Sequence, residues 1–197
     1  MIEISAIREH VIAMLKSGLP KFLKYHNVNH TVDVVTECMV IAKEEKLLNE
    51  HALQELQIAA LYHDTGFLHL YKGHEEMSCE LAIKQLPAFG VSNKQIDNIC
   101  EIILATKMPQ AANSHLQQIL CDADLDHLGR DDFFTISETL QQELIEYQIV
   151  KSIEEYHEST IAFLKSHSYF TESAKNRRTI KKLEHLELLR TKLLGEL

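Results

Sequence analysis

EHALQELQIAALYHDTGF, Glu50 to Phe67, opens as a helix and closes on a puzzle. Residues 50–62 read as one helix whose last turn, Ile58-Ala59-Ala60-Leu61-Tyr62, is apolar throughout. A buried run of that kind should end at a turn, yet it ends on His63 and Asp64 with Gly66 just behind. An imidazole and a carboxylate side by side at the end of a buried helix need partners, because such groups are rarely buried unless paired or bound to a metal.

The chain on either side is helical in pattern. Ile4, Ile7, Val11, Met14 and Leu15 recur at helical spacing until Gly18 and Pro20. Val32, Val35, Met39 and Ala42 mark one face of a long amphipathic helix from Asn29. Residues 66–73 read as a loop, followed by a helix over residues 74–86. Ser92 is a fitting N-cap for a helix through Ile96, Ile99, Ile103 and Leu104, stopped near Pro109. The pattern predicts one helix over 114–128, ended by Gly129, and further helices over 133–147, 150–165 and 171 to the C-terminus. No β-branched alternation rivals these patterns, so the fold class is all-α, a multi-helix bundle with an extra C-terminal helix. Residues 1–170 are expected to form the main domain. In residues 171–197, Ile180, Leu183, Leu186, Leu189 and Leu193 form a stripe near heptad spacing, for packing on the same domain or at a homodimer seam.

The bulk numbers narrow the function. With 197 residues, 45% of them hydrophobic, the chain can build its own core as one domain, or one domain with an appendage. A formal charge of −9 argues against an extended, sequence-independent grip on nucleic acid, which needs Lys and Arg spread over a wide surface. No apolar stretch approaches the roughly 20 residues needed to span a bilayer, and no signal-peptide pattern follows Met1, so a cytoplasmic protein is expected. Cys38, Cys79, Cys100 and Cys121 stand far apart with no CxxC pair and read as buried free thiols.

Partners for His63 and Asp64 stand at other helix ends and walls. YHNVNHTVDVV (25–35) places His30 at the start of one helix, and GHEEMSCELA (73–82) places His74 at the start of another. LCDADLDHLG (120–129) sets Asp122, Asp124 and Asp126 in an otherwise apolar helix, where three acids within five residues require an explanation. On a helix Asp122 and Asp126 share a face while Asp124 points nearly the other way, so the acids have different roles. Imidazoles and carboxylates brought together from distant segments can converge on one divalent cation, which offsets their desolvation.

Between Tyr25 and Arg130 the chain resembles the HD-domain metal-dependent phosphohydrolases. In that family a His on one helix, a His-Asp doublet on the next and a distal Asp bind a metal in an all-α bundle. The resemblance implies His30, His63, Asp64 and Asp124 as ligands, with Ala123-Asp124-Leu125 matching the family's distal step and Asp122 as the alternative. Relatives with two metals add further histidines. His74 fits the first added place, but the later one reads ILATKMP (103–109), with Thr106 and Lys107. A single divalent ion (Mn, Mg, Co, Ni, Fe or Zn) is therefore expected; a second would need His115, His69 or Glu75.

The implied activity is hydrolysis of a phosphate ester or phosphodiester of a small molecule, most plausibly a nucleotide. Water is the nucleophile, Asp64 orients it, and His74 protonates the leaving alkoxide or contacts the phosphate. Lys107 and Arg130 are the substrate-binding candidates, since transferring oxygens need matching cations; Arg177 and Arg178 join them only if the C-terminal helix folds back. His26 is a rival to His30 or lines the pocket mouth. Tyr169 and Thr171 read as a helix–helix turn rather than a substrate contact. His10, His51, His157, His167 and His185 sit in polar or exposed-looking contexts and are assigned no function. HDTGF (63–67) lacks the acidic pair of alarmone hydrolases, which leaves nucleoside monophosphates and cyclic nucleotides or other diesters as the leading classes. The rival readings are a non-catalytic helical signalling module and, behind it, a di-iron oxygenase.

Overall fold

The structure is a computed structural model and describes residues 2–193. Among the described residues it has nine α-helices, three short 3-10 turns and no strand. The helices are α1 (Ile4–Gly18), α2 (Val28–Glu44), α3 (Glu50–Tyr62), α4 (His74–Gln85), α5 (Asn93–Leu104), α6 (His115–Asp124), α7 (Phe133–Glu146), α8 (Ile153–Ser166) and α9 (Glu172–Leu193). The 3-10 turns are Thr65–Leu68, Leu86–Phe89 and Asp126–Gly129. The fold is all-α, as the periodicity requires, and no described helix is long and apolar enough to cross a membrane.

Local chemistry starts the helices where the sequence suggests. The Asn27 side chain accepts from the backbone of Asn29 and His30 at the head of α2, and Asn49 accepts from Ala52 at the head of α3. Ser92 with Gln95, and Ser114 with Gln117, form reciprocal capping boxes for α5 and α6. The last turn of α3, Ile58 to Tyr62, is buried on every side, which is why its apolar residues do not alternate with polar ones. Around it a first core joins α1 (Ile7, Val11, Leu15), α2 (Val34, Cys38, Ile41), α5 (Ile99, Ile103) and α6 (Ile119, Leu120). A second, smaller core gathers Leu125, Leu128, Phe133, Ile161, Leu164, Leu186 and Leu189.

Three expectations need correction. The helix over 114–128 breaks after Asp124 into the 3-10 turn Asp126–Gly129. The break frees backbone carbonyls that need partners. Tyr169 donates its hydroxyl to Leu125 O at 3.3 Å, and His185 Nδ1 lies 3.0 Å from Leu128 O. His185 is consequently buried and stacked on Phe133, and His167 is mostly enclosed beside Lys182, so neither sits in the exposed context its neighbours suggest. The C-terminal stripe divides: Leu186 and Leu189 are buried in the second core, whereas Ile180 and Leu183 are exposed. Residues 194–197 and the side chain of Leu193, both part of the expected helix and stripe, lie outside the described residues.

Gly129 shows how tightly α9 is drawn in. A Cβ at this position would overlap the backbone carbonyl of Arg178 in α9. Gly129→Ala should therefore lower stability by about 1–3 kcal/mol, the usual cost of overpacking, read as a shifted urea midpoint; an unchanged midpoint would show that α9 moves away freely.

Candidate functional site

The doublet is held by a hydroxyl relay. Thr65 Oγ1 donates to Tyr62 O at 2.8 Å as α3 ends, and Ser78 Oγ of α4 donates to His63 O at 2.7 Å while accepting from Gly66 N at 2.8 Å. Gly66 is required by the close approach that follows, because a Cβ there would overlap the carbonyl of His74. These contacts place α4, with His74 as its first residue, directly against the turn that carries His63 and Asp64.

The acids of LCDADLDHLG divide as the helix geometry suggests. Asp122 is fully buried and accepts from Phe170 N (2.8 Å), Thr171 N (2.7 Å) and Thr171 Oγ1 (2.7 Å), clamping the chain that enters α9. Asp126 forms a bidentate pair with Arg178, at 2.7 Å to Nε and 2.8 Å to Nη2. Asp124, between them, turns toward the histidines.

His30 Nε2 lies 3.2 Å from Asp124 Oδ1 and 3.3 Å from Asp64 Oδ2. His63 Nε2 lies 3.2 Å from Asp64 Oδ2, 3.7 Å from Asp124 Oδ1 and 3.4 Å from His30 Nε2. One ligand atom each of His30, His63 and Asp124 falls within 4.8 Å of the others, and Asp64 completes the group. His63 Nδ1 is 2.8 Å from Ala60 O, to which it donates, and this bond turns Nε2 toward the carboxylates. Asp64 Oδ2 is buried without any hydrogen-bond partner. Two imidazole Nε2 atoms converging on a buried carboxylate oxygen that has no hydrogen-bond partner suit a cation, and two imidazoles with two carboxylates suit a first-row divalent ion.

The titration behaviour has the same cause. Burial works against protonating His30, but Asp124 and Asp64 outweigh it and lift the ring from 6.5 to about 9. Burial opposes protonation of His63 too, and the same two carboxylates carry it well above the ordinary imidazole value. Burial alone would raise the Asp64 carboxyl; the His63 and His30 rings hold it well below the usual carboxylate range.

Around this centre lie groups that act on protons. His74 Nε2 is 3.6 Å from Asp64 Oδ1 and from Glu75 Oε1, with its ring stacked on Phe67. His26 stacks on the same phenyl ring and binds through Nδ1 to Glu143, a fully buried carboxylate of α7. Glu143 also accepts from Tyr25 N (2.9 Å), His26 N (3.1 Å) and Tyr71 OH (3.1 Å). Its partnership with His26 escapes a reading by motif, yet Glu143 lies on the helix face that also points Phe133, Ser137, Leu140 and Leu144 inward. An acid in the apolar phase of a helix was the available signal. His127, 3.3 Å from Tyr25 OH, is held neutral as burial pushes it down to about 3.

A cavity of about 440 Å³ opens beside the cluster and includes Asp64, Asp124, His26, His74, Glu75 and Thr106 in its lining. Of the basic candidates, Lys107 is half exposed and paired with Glu76. Arg130 binds Asp33 at 2.6 Å and Asp132 at 2.5 Å, and it lines a neighbouring hollow of about 340 Å³ together with His30 and Lys24. Arg177 and Arg178 pair with Glu37 and Asp126 respectively. His115 pairs with Glu45 on another part of the surface.

The HD domain family model matches residues 27–129. No curated protein is significantly similar to the chain. Among solved structures, YpgQ of Bacillus subtilis in complex with ADP is similar with a TM-score of 0.65 and 17% identity, over 96% of this chain and 97% of that one. A predicted HD superfamily hydrolase from an uncultured Thermotogales bacterium is similar with a TM-score of 0.61 and 22% identity, over 95% of this chain and 91% of that one.

The two neighbouring acids provide a direct comparison. Asp124→Asn should weaken Mn or Zn binding, measured by calorimetry, by more than about 10-fold, the lower scale for disturbing a metal's surroundings. Asp122→Asn should retain the metal and lose about 1–3 kcal/mol of folding stability through donors left unpaired. The reverse pattern would make Asp122 the ligand.

Proposed function

The chain belongs to the HD-domain family, and on that premise we propose that it is a metal-dependent phosphohydrolase cleaving a phosphate ester or phosphodiester of a small molecule, most plausibly a nucleotide. The observation that carries this reading is the set of converging acceptors, with Asp64 Oδ2 buried and unpartnered beside two imidazole Nε2 atoms. The adjoining cavity of about 440 Å³ is of the size that takes a small organic ligand. ADP in the similar structure of YpgQ supports a nucleotide as the class.

In this proposal His30, His63, Asp64 and Asp124 hold one divalent ion. Such an ion supplies Lewis acidity to phosphoryl oxygens and acidifies water at neutral pH. Asp64 faces the ligand cluster with Oδ2 and His74 with Oδ1, which leaves Oδ1 to orient and deprotonate the attacking water. His26 is the stronger proton donor for the leaving alkoxide. Its Nδ1 donates to buried Glu143, which fixes the ring and leaves Nε2 to deliver the proton. His74, whose Nδ1 faces the neutral carbonyl of Tyr71 at 3.1 Å, is assigned to the phosphoryl oxygens.

Two experiments test these roles. His63→Ala or Asp64→Ala should abolish metal binding and phosphatase activity while circular dichroism shows the helix content kept; full activity in either refutes the site. His26→Asn should reduce kcat about 10²–10⁴-fold for alkyl phosphate esters, the range for general acid catalysis, and much less for p-nitrophenyl esters, whose leaving group needs no proton. If His74→Asn alone shows that dependence on the leaving group, His74 is the donor.

A further inference from the structure

The cysteines stand apart in sequence, but two of them meet in space, Cys79 on α4 and Cys100 on α5. Cys79 Sγ donates to Cys100 O at 3.6 Å, and Cys100 Sγ donates to Cys79 O at 3.9 Å. Reciprocal bonds of this kind need the two backbones close together, because each sulfur is only one carbon from its own chain. A disulfide spans the same kind of gap, about 4–7 Å between Cα atoms.

The two thiols are unequal. Cys79 is 7% exposed, whereas Cys100 is only partly covered. The bond from the Cys79 thiol holds the Cys100 thiol below its ordinary value, against burial and the Asp97 carboxylate. The same bond, together with burial, pushes Cys79 up. Cys100 thus combines a lowered thiol with access to solvent, as an attacking thiolate requires, and Cys79 is placed to resolve it. Cys38 and Cys121 are fully buried, and Cys121 donates to Ala105 O at 3.2 Å, so neither meets solvent.

The neighbours of Cys79 connect the pair to the ligand cluster. Ser78, the residue before it, donates to His63 O and accepts from Gly66 N. Gly66 lies so near His74 that a Cβ would overlap its carbonyl, so the seam between α4 and the turn of the doublet has no slack. A shift of α4 that closes a bridge to α5 is passed to His63 through Ser78.

We propose that Cys79 and Cys100 are a dithiol site that a hydroperoxide converts to a reversible disulfide, and that closing this bridge loosens the hold of the His63 cluster on a cation. Bridge formation is independent of the metal reading of the centre; its effect on the cation rests on that reading. The Cys100 thiolate attacks one oxygen of hydrogen peroxide, the O–O bond breaks, hydroxide leaves and takes up a proton, and Cys100 becomes a sulfenic acid. The Cys79 sulfur then displaces the sulfenic oxygen, which departs as water with the Cys79 proton. Two thiols are oxidised to one disulfide while one peroxide is reduced to two waters. A small-molecule thiol reopens the bridge by exchange.

The test treats the metal-loaded full chain with one equivalent of hydrogen peroxide and reads intact mass and peptide linkage without reduction. The expected result is a loss of two hydrogens, a peptide pair joined through Cys79 and Cys100, and recovery of both thiols with dithiothreitol. Sulfinic acid at Cys100 without the link, or all four thiols unchanged, would overturn the proposal. Cys79→Ser and Cys100→Ser, the latter at the partly covered position, should each abolish the loss of two hydrogens; a folded variant that still shows it has bridged elsewhere and overturns the assignment. After the metal is stripped, the bridged chain should bind Mn about 10-fold more weakly than the reduced chain in calorimetry, the lower scale for disturbing a metal's surroundings, and amide exchange at Gly66 should be faster. A bridged chain with unchanged Mn affinity would overturn the coupling. A reduced chain that binds no Mn would count against the metal reading instead, and unchanged exchange at Gly66 would then overturn the coupling.

Discussion

Electron pairs crowded into one small space without a counter-charge are the constraint on which the rest of this structure depends. His30 Nε2, His63 Nε2, Asp64 Oδ2 and Asp124 Oδ1 face one another at 3.2–3.7 Å along their closest approaches. Positive charge must enter that space, either as protons or as a cation. The carboxylates push the imidazoles beside them up, and the imidazoles pull the Asp64 carboxyl down. A divalent ion answers the same demand and displaces those protons on binding. Since the four residues come from α2, the end of α3 and the end of α6, three elements of the first core, the demand falls where that core meets the cavity.

Two kinds of polar network serve this centre, and they differ in where their charge goes. The Asp122 and Asp126 networks are closed: each carboxylate is met by donors from the chain around α9, and neither lines the adjoining cavity. The Glu143 network is open at one end, since His26 donates from Nδ1 to Glu143 and itself lines that cavity. Closed networks hold helices together; an open one leaves a group free to exchange a proton with something bound. That contrast separates His26 from His185, which is enclosed by aromatic rings but bonded to Leu128 O and lines no part of the cavity.

Much of this was legible in the chain itself. The apolar end of α3 running into His63 and Asp64 is a local pattern, and so is His30 at the head of α2, because capping residues and periodicity act over a few positions. The separation of Asp124 from Asp122 and Asp126 followed from helix phase, although their partners did not, since Thr171 and Arg178 lie about fifty positions downstream. The break after Asp124 escaped notice because Leu125 and Leu128 keep the apolar spacing of a helix, while the cause of the break, α9 pressing on Gly129, is tertiary. Glu143 is not marked out by any local motif for the same reason: its partners, Tyr25, His26 and Tyr71, come from segments more than seventy positions earlier in the chain. Lys107 and Arg130 stand beside motifs in sequence; in space Lys107 pairs with Glu76, and Arg130 pairs with Asp33 and Asp132 while lining the hollow beside His30.

The aspartates on either side of Asp124 act as two guy-lines, one tied to the entrance of α9 and the other to its second turn. Whatever slackens that final helix slackens the residue suspended between them. The geometry of the ion-facing carboxylate is thus inherited from the far end of the chain, and the surface of α9, remote from any chemistry, becomes a place from which the centre can be detuned.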